Sequence, residues 1–99
     1  MTYTTGLNAS KALKEAGIEV ETEKYWKPDG GWHLSERKGK FTIAAPSLSE
    51  LSEVFRMLGE KKGWDDIVTK FFYLNLYLEW FNSQSQERCD EFIINLLQQ

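Results

Sequence analysis

Phe41–Leu58 reads FTIAAPSLSELSEVFRML and predicts a strand that ends at a proline and continues as a helix. Pro46 has no amide hydrogen to give to a sheet ladder, so we expect the strand to end there. Side chains alternate between the two faces of a strand. The buried face of this strand is therefore predicted to carry Phe41, Ile43 and Ala45.

The helical half begins with a Ser-x-x-Glu capping box, Ser47 to Glu50. In such a box each side chain accepts a hydrogen bond from the backbone amide of the other residue. Gly59 is expected to be the left-handed residue that ends the helix. Between these limits, apolar residues recur at three- and four-residue spacing, which is typical of one buried helix face: Leu48, Leu51, Val54, Phe55 and Leu58.

Composition indicates a single domain over residues 1–99. Hydrophobic residues make up 41% and charged residues 27%, which is ordinary for a soluble globular protein. The net charge of −3 does not favour binding to nucleic acid or to an anionic membrane. Cys89 is the only cysteine, so the chain has no internal disulfide, and we expect a cytoplasmic protein without a signal peptide or membrane span.

The N-terminal part predicts a helix followed by two strands. Met1–Gly6 is expected to be frayed, Asn8 to cap the first helix and Gly17 to end it. The strands are predicted at Val20–Lys27 and Trp32–Ser35, each followed by a turn.

These two strands and the strand that begins at Phe41 are predicted to form an antiparallel meander. A five-residue loop would place Trp26 opposite Trp32, and a four-residue loop would place Tyr25 opposite Leu34; the first register is preferred. Trp32 and Leu34 are then expected on the buried face.

Residues 67–81 read IVTKFFYLNLYLEWF and fit two structures. As a strand, the segment places Phe72, Leu74, Leu76, Leu78 and Trp80 on one face, and its aromatic and β-branched residues favour this interpretation. As a helix, it has no single apolar face, although its length is more typical of a helix. We interpret it as a strand and keep the helix as the alternative.

The C-terminus predicts a helix that Ser83 or Ser85 caps, with an apolar face of Cys89, Phe92, Ile93, Leu96 and Leu97. The predicted fold class is therefore α+β, with the order α-β-β-β-α-β-α. About four antiparallel strands would form one sheet with the helices packed on one face.

Three segments carry a family resemblance: Leu13–Ile18 (LKEAGI), Glu21–Trp26 (ETEKYW) and Ile43–Leu51 (IAAPSLSEL). The chain resembles small uncharacterised bacterial proteins, often of prophage origin, over its first half and a little beyond. The resemblance implies a short hairpin in place of Asp65–Phe81 and carries no activity with it.

No catalytic or metal-binding motif stands out in the sequence. His33 is the only histidine and Cys89 lies on a predicted buried helix face, so we expect no enzymatic activity, no cofactor and no metal site.

One cluster does suggest binding. If residues 67–81 are a strand, the helix-free face of the sheet carries Tyr25, His33, Tyr73 and Tyr77. Exposed aromatic residues with polar neighbours are typical of a contact surface. The leading hypothesis is a non-enzymatic interaction module that binds a protein partner or a second copy of itself through this face.

An alternative function uses the basic turn, in which Arg37, Lys38 and Lys40 could contact phosphates. That hypothesis describes a nucleic-acid-associated protein. The net charge of −3 makes it the less favoured of the two.

Overall fold

The computed structural model describes residues 3–99. Within this range the elements are α1 (Leu7–Glu15), β1 (Tyr25–Pro28), β2 (Trp32–Ser35), β3 (Ile43–Ala44), α2 (Leu51–Lys62), α3 (Asp66–Ser83) and α4 (Gln86–Gln98). The α+β class and the antiparallel sheet are confirmed. The predicted fourth strand is wrong, because residues 67–81 lie inside α3, and the order in the described chain is α-β-β-β-α-α-α.

The three strands are ordered β2-β1-β3, so the predicted meander order is wrong. β3 pairs with β1, with Tyr25 opposite Ala44 and Trp26 opposite Ile43. The chain after β3 is hydrogen-bonded to the N-terminal segment: the amide of Thr5 donates to the carbonyl of Pro46 at 2.9 Å. The amide of Leu48 also donates to the carbonyl of Tyr3 at 3.0 Å, so two backbone hydrogen bonds tie the chain after β3 to the N-terminal segment.

Both predicted hairpin registers are wrong. Trp26 lies opposite Leu34 and Pro28 opposite Trp32, so the loop contains only Asp29, Gly30 and Gly31. Gly30 and Gly31 adopt φ values of 66° and 125°, which a residue with a side chain rarely reaches. Glycine at these two positions therefore permits a tighter loop than either register assumed.

The predicted buried sheet face is correct only in part. Ile43 and Ala45 are buried, but Trp32, Leu34 and Phe41 are exposed. The short β3 explains the error at Phe41, because the strand begins two residues later than expected.

The N-terminal segment is anchored from Tyr3 onward, so fraying of residues 3–6 is not observed; Met1 and Thr2 lie outside the described residues. Tyr3 and Thr5 are buried. The Tyr3 hydroxyl donates to the Asp90 carboxylate, and the indole Nε1 of Trp26 donates to the Thr5 carbonyl at 3.0 Å. One tyrosine at the start of the chain thus reaches α4 at its end.

The helix ends follow local chemistry, with two corrections. Gly6, not Asn8, precedes α1, and Gly17 ends it with a φ of 75° while the Ile18 amide donates to the Leu13 carbonyl at 3.0 Å. Gly59 lies inside α2, and the left-handed residue after that helix is Gly63.

The capping box before α2 is formed. The Ser47 amide donates to Glu50 Oε1 at 2.9 Å, and the Glu50 amide donates to Ser47 Oγ at 3.4 Å. The regular helix starts only at Leu51, because the first turn is tightened by a bond from the Glu53 amide to the Glu50 carbonyl at 3.2 Å.

A single cluster of buried side chains joins the N-terminal segment to all four described helices. The apolar faces predicted for α2 and for the C-terminal helix supply most of it, so those two predictions are confirmed. Its buried members from these two faces are Leu48, Leu51, Val54, Phe55, Leu58, Cys89, Ile93 and Leu96.

Candidate interaction surface

α3 is delimited by side-chain and backbone signals at both ends. The Asp65 carboxylate accepts from the Val68 amide at 2.9 Å, which caps the first turn. Lys70 Nζ lies 2.8 Å from the Asp66 carboxylate, one helical turn away. Gln84 ends the helix in the left-handed region with a φ of 52°.

One face of α3 packs on the core. Leu76 and Trp80 are buried, and Phe72 packs against the same cluster. The rings of Phe72 and Trp64 lie 4.6 Å apart, and those of Trp80 and Tyr3 lie 5.5 Å apart. These contacts fix which side of the helix faces solvent.

The opposite face of α3 is also apolar, but nothing within residues 3–99 covers it. Its residues are separated by four, three, four and three positions, so they form one line along the helix. Their exposed fractions range from 46% to 79%. We call this line the α3 stripe: Ile67, Phe71, Leu74, Leu78 and Phe81.

The size of the α3 stripe sets it apart from ordinary surface. Single exposed apolar residues are normal on a soluble protein. The five side chains together expose on the order of 600 Å² of apolar area, at the upper end of the largest patches on monomers. A helix that is apolar on two opposite faces is typical of one that is buried on both sides.

The borders of the stripe carry little free charge. On one side lie Tyr77 and Lys70, and Lys70 is already paired with Asp66. On the other side lie Asn75 and Asn82, and the Asn75 amide donates back to the Phe71 carbonyl at 2.7 Å. The stripe is therefore a narrow apolar face between largely neutral edges.

The helix explains why the sequence resembles a strand here. Residues two apart on a helix point to nearly opposite sides, because each residue turns the chain by about 100°. Phe72, Leu76 and Trp80 thus face the core, whereas Leu74 and Leu78 face solvent. The even-numbered residues form two helix faces, and the prediction of one buried strand face is wrong.

The predicted aromatic sheet face is wrong, because Tyr73 and Tyr77 lie on α3. The Tyr73 hydroxyl donates to the Leu48 carbonyl at 2.8 Å, and its partial burial raises the pKa of this tyrosine. Tyr77 is exposed beside the α3 stripe.

The other two predicted residues stay in the sheet, apart from each other. Tyr25 is buried in β1, paired with Ser35 and Ala44. His33 is exposed on β2, opposite Lys27. Of the four predicted residues, the structure brings together only Tyr73 and Tyr77.

The basic turn lies between β2 and β3 with its side chains exposed. Lys40 Nζ lies 5.6 Å from the centre of the Phe41 ring, and Lys38 lines a cavity between α1 and the sheet. The backbone amide of Arg37 donates to Ser35 Oγ at 3.1 Å. Binding of nucleic acid at Arg37, Lys38 and Lys40 stays a prediction.

The thiol of Cys89 is buried in the core. Burial, with a smaller contribution from Glu79, raises the pKa of the Cys89 thiol to about 11, so it is mostly protonated at neutral pH. Within residues 3–99 no group of three or more His, Cys, Asp or Glu side chains is placed to hold a metal ion. In the same range no helix combines the length and apolar character that crossing a membrane requires.

Comparisons with protein-family models, with curated proteins and with solved structures find no match for this chain. The resemblance to small bacterial proteins of prophage type therefore stays a prediction. The α3 stripe was not anticipated, although its four-three-four-three spacing is visible in the sequence. A search for one apolar helix face does not detect it, because the segment has two.

Proposed function

We propose that the chain is a small, non-enzymatic interaction protein of the cytoplasm that binds an apolar protein helix along the α3 stripe. The observation that supports this function is the exposure of five aligned apolar side chains opposite the face that packs on the core. Its single cysteine supports the cytoplasmic location, because small secreted domains commonly depend on disulfides.

The geometry of the stripe suits a helix as partner. Its spacing alternates between three and four residues, which is the spacing of the seam between two paired helices. Such a seam accepts an amphipathic helix that presents its own apolar residues every third or fourth position. Aromatic anchors carry much of the binding energy in surfaces of this kind, so Phe71 and Phe81 are expected to contribute most.

The test is sedimentation of trace amounts of fluorescently labelled protein in two backgrounds: concentrated extract of the source organism, and an excess of unlabelled copies of the same chain. Phe81→Glu is compared with Phe41→Glu, because these side chains are 70% and 68% exposed and undergo the same change. We expect wild type and Phe41→Glu to form a complex in at least one background, and Phe81→Glu to lose it. Monomeric wild-type protein in both backgrounds would overturn the proposed function.

A further inference from the structure

We infer that the partner of the α3 stripe is the α3 stripe of a second copy of this chain, in a two-fold symmetric dimer. This inference rests on the proposed function and names its partner. Three features of the described surface carry it: the pattern of the apolar residues, the charge of their borders and the area that they offer.

The pattern is self-complementary. Two-fold dimers use the same patch on both subunits, so the patch must fit itself. Paired helices with four-three spacing do this, because side chains of one seam insert into spaces between side chains of the other. The stripe spans two such repeats, from Ile67 to Phe81, with Leu74 at its centre.

The borders permit an identical face to approach. Like charges placed opposite each other across an interface are destabilising, and a face meant for a charged partner would carry unpaired charges of the opposite sign. Here the bordering residues are Tyr77, Asn75 and Asn82, together with Lys70, whose charge is balanced by Asp66 at 2.8 Å. Two copies can therefore meet without repulsion, and asparagine and tyrosine can form polar contacts at the rim.

The area suits a weak, reversible dimer. Complete coverage of the roughly 600 Å² on each copy would bury about 1,200 Å² in total, the lower limit of specific interfaces. Interfaces near this lower limit are typical of weak and transient complexes, so we expect the dimer to form reversibly. The chain would then be monomeric when dilute and dimeric when locally concentrated.

The experiment is sedimentation of the purified protein alone from about 1 to about 500 µM, because a weak, reversible dimer dissociates on dilution across such a range. We expect a monomer–dimer equilibrium in wild type and in Phe41→Glu. Leu74→Glu, at the centre of the stripe, should raise the dissociation constant at least about a hundredfold. Circular dichroism melts of each variant establish that it is folded.

Cross-linking gives a second test that needs no disruptive variant. Leu74→Cys places one accessible thiol at the centre of the stripe, where the two copies approach each other in a two-fold pair. A short bis-maleimide should link Leu74→Cys into dimers at micromolar concentration. Wild type is the control, because its Cys89 is buried and its thiol has a raised pKa. Glu91→Cys, at an exposed position of α4 away from the stripe, should give no specific dimer.

Failure of the inference can be told apart from failure of the proposed function. Purified wild type that stays monomeric at about 500 µM, yet forms a stripe-dependent complex in extract, would overturn the second copy as partner and leave the proposed function standing. Monomeric protein in both backgrounds would overturn both. A dimer that Phe41→Glu disrupts as strongly as Leu74→Glu would overturn the inference as well, because the interface would then lie elsewhere.

Discussion

Gly59 in α2 lies directly against Thr69 in α3: a Cβ built on Gly59 would lie 2.4 Å from Thr69 Oγ1. The Thr69 hydroxyl cannot turn away freely, because it donates to the Asp65 carbonyl at 3.0 Å. The absence of a side chain at Gly59 therefore permits the close packing of α2 on α3. This packing fixes which face of α3 is exposed.

Gly59→Ala should destabilise the protein by about 1–3 kcal/mol, as overpacking of a close contact does. The sign is informative, because the same change inside an unconstrained helix stabilises by about 1 kcal/mol. Adding Thr69→Ala should recover part of the loss, since the nearest neighbour of the new methyl group is then the residue 69 Cβ at 3.4 Å. Denaturant melts of the two single variants and the double variant measure this coupling. A stabilised Gly59→Ala would mean that the helices pack less closely.

Ser47→Ala should cost about 1 kcal/mol, because the start of α2 loses its hydroxyl acceptor. Glu50→Ala should cost more, since the Glu50 carboxylate accepts from the Ser47 amide at 2.9 Å and also from the Glu23 amide at 3.0 Å. Ser52→Ala, in the same helix but outside the cap, should change stability by less than about 0.5 kcal/mol. Chemical denaturation ranks the three variants. Equal losses for all of them would place the start of the helix elsewhere.

Tyr73→Phe should destabilise by about 1 kcal/mol, because it leaves the Leu48 carbonyl without its hydrogen-bond donor. Tyr77→Phe is the matched control one turn along the same helix, where the side chain is exposed, and it should leave stability unchanged within about 0.5 kcal/mol. Thermal and denaturant melts compare the pair. If both variants match wild type, the Tyr73 hydroxyl does not hold α3 to the turn before α2.

Tyr3 should make the protein sensitive to alkaline pH. Burial, reinforced by the hydrogen bond to Asp90, raises the pKa of Tyr3 above its value of about 10 in an unfolded chain. Above about pH 10 the unfolded state therefore releases a proton that the folded state keeps, and stability falls as pH rises. Below that pH the contribution of Tyr3 is constant.

Tyr3→Phe should be less stable than wild type at about pH 8, because it loses the hydrogen bond, but its stability should fall less between about pH 8 and 11. Urea melts at both pH values give the two differences, with Tyr77→Phe as the control for an exposed tyrosine. Burial also raises the pKa of Asp90, the carboxylate that accepts the Tyr3 hydrogen bond, and this residue is present in both proteins. An equal fall in Tyr3→Phe and wild type would contradict a buried, protonated Tyr3.

Much of the fold could be predicted from local sequence signals. The box of Ser47 and Glu50, the glycine after α1 and the apolar face of α4 act through neighbours within one or two helical turns. Such interactions do not depend on the rest of the chain, so residue spacing alone predicts them. Trp32–Ser35 was likewise predicted with its observed limits, because glycines and polar residues bound it on both sides.

The candidate surface shows where local signals fail. From residue 72 to 80, every second residue of the segment is aromatic or aliphatic. This pattern fits a strand with one buried face as well as a helix with two apolar faces. The sequence shows that Leu74 and Leu76 are both apolar, but not which of them is buried. Leu76 is buried and Leu74 exposed because the rest of the protein packs against only one face of α3. The contacts of Phe72 with Trp64 and of Trp80 with Tyr3 select the core face.

By itself, the sequence determined the helices whose caps and apolar faces lie within a few residues of one another, together with the limits of β2. Tertiary structure alone decided that β3 lies beside β1, that Tyr3 packs beneath Trp80 and that one apolar face of α3 stays uncovered. The physical reason is the distance along the chain over which each interaction acts. Helix caps and turns are formed by neighbouring residues. Strand order and exposure are set by contacts between distant parts of the chain, such as Thr5 with Pro46 and Tyr3 with Asp90.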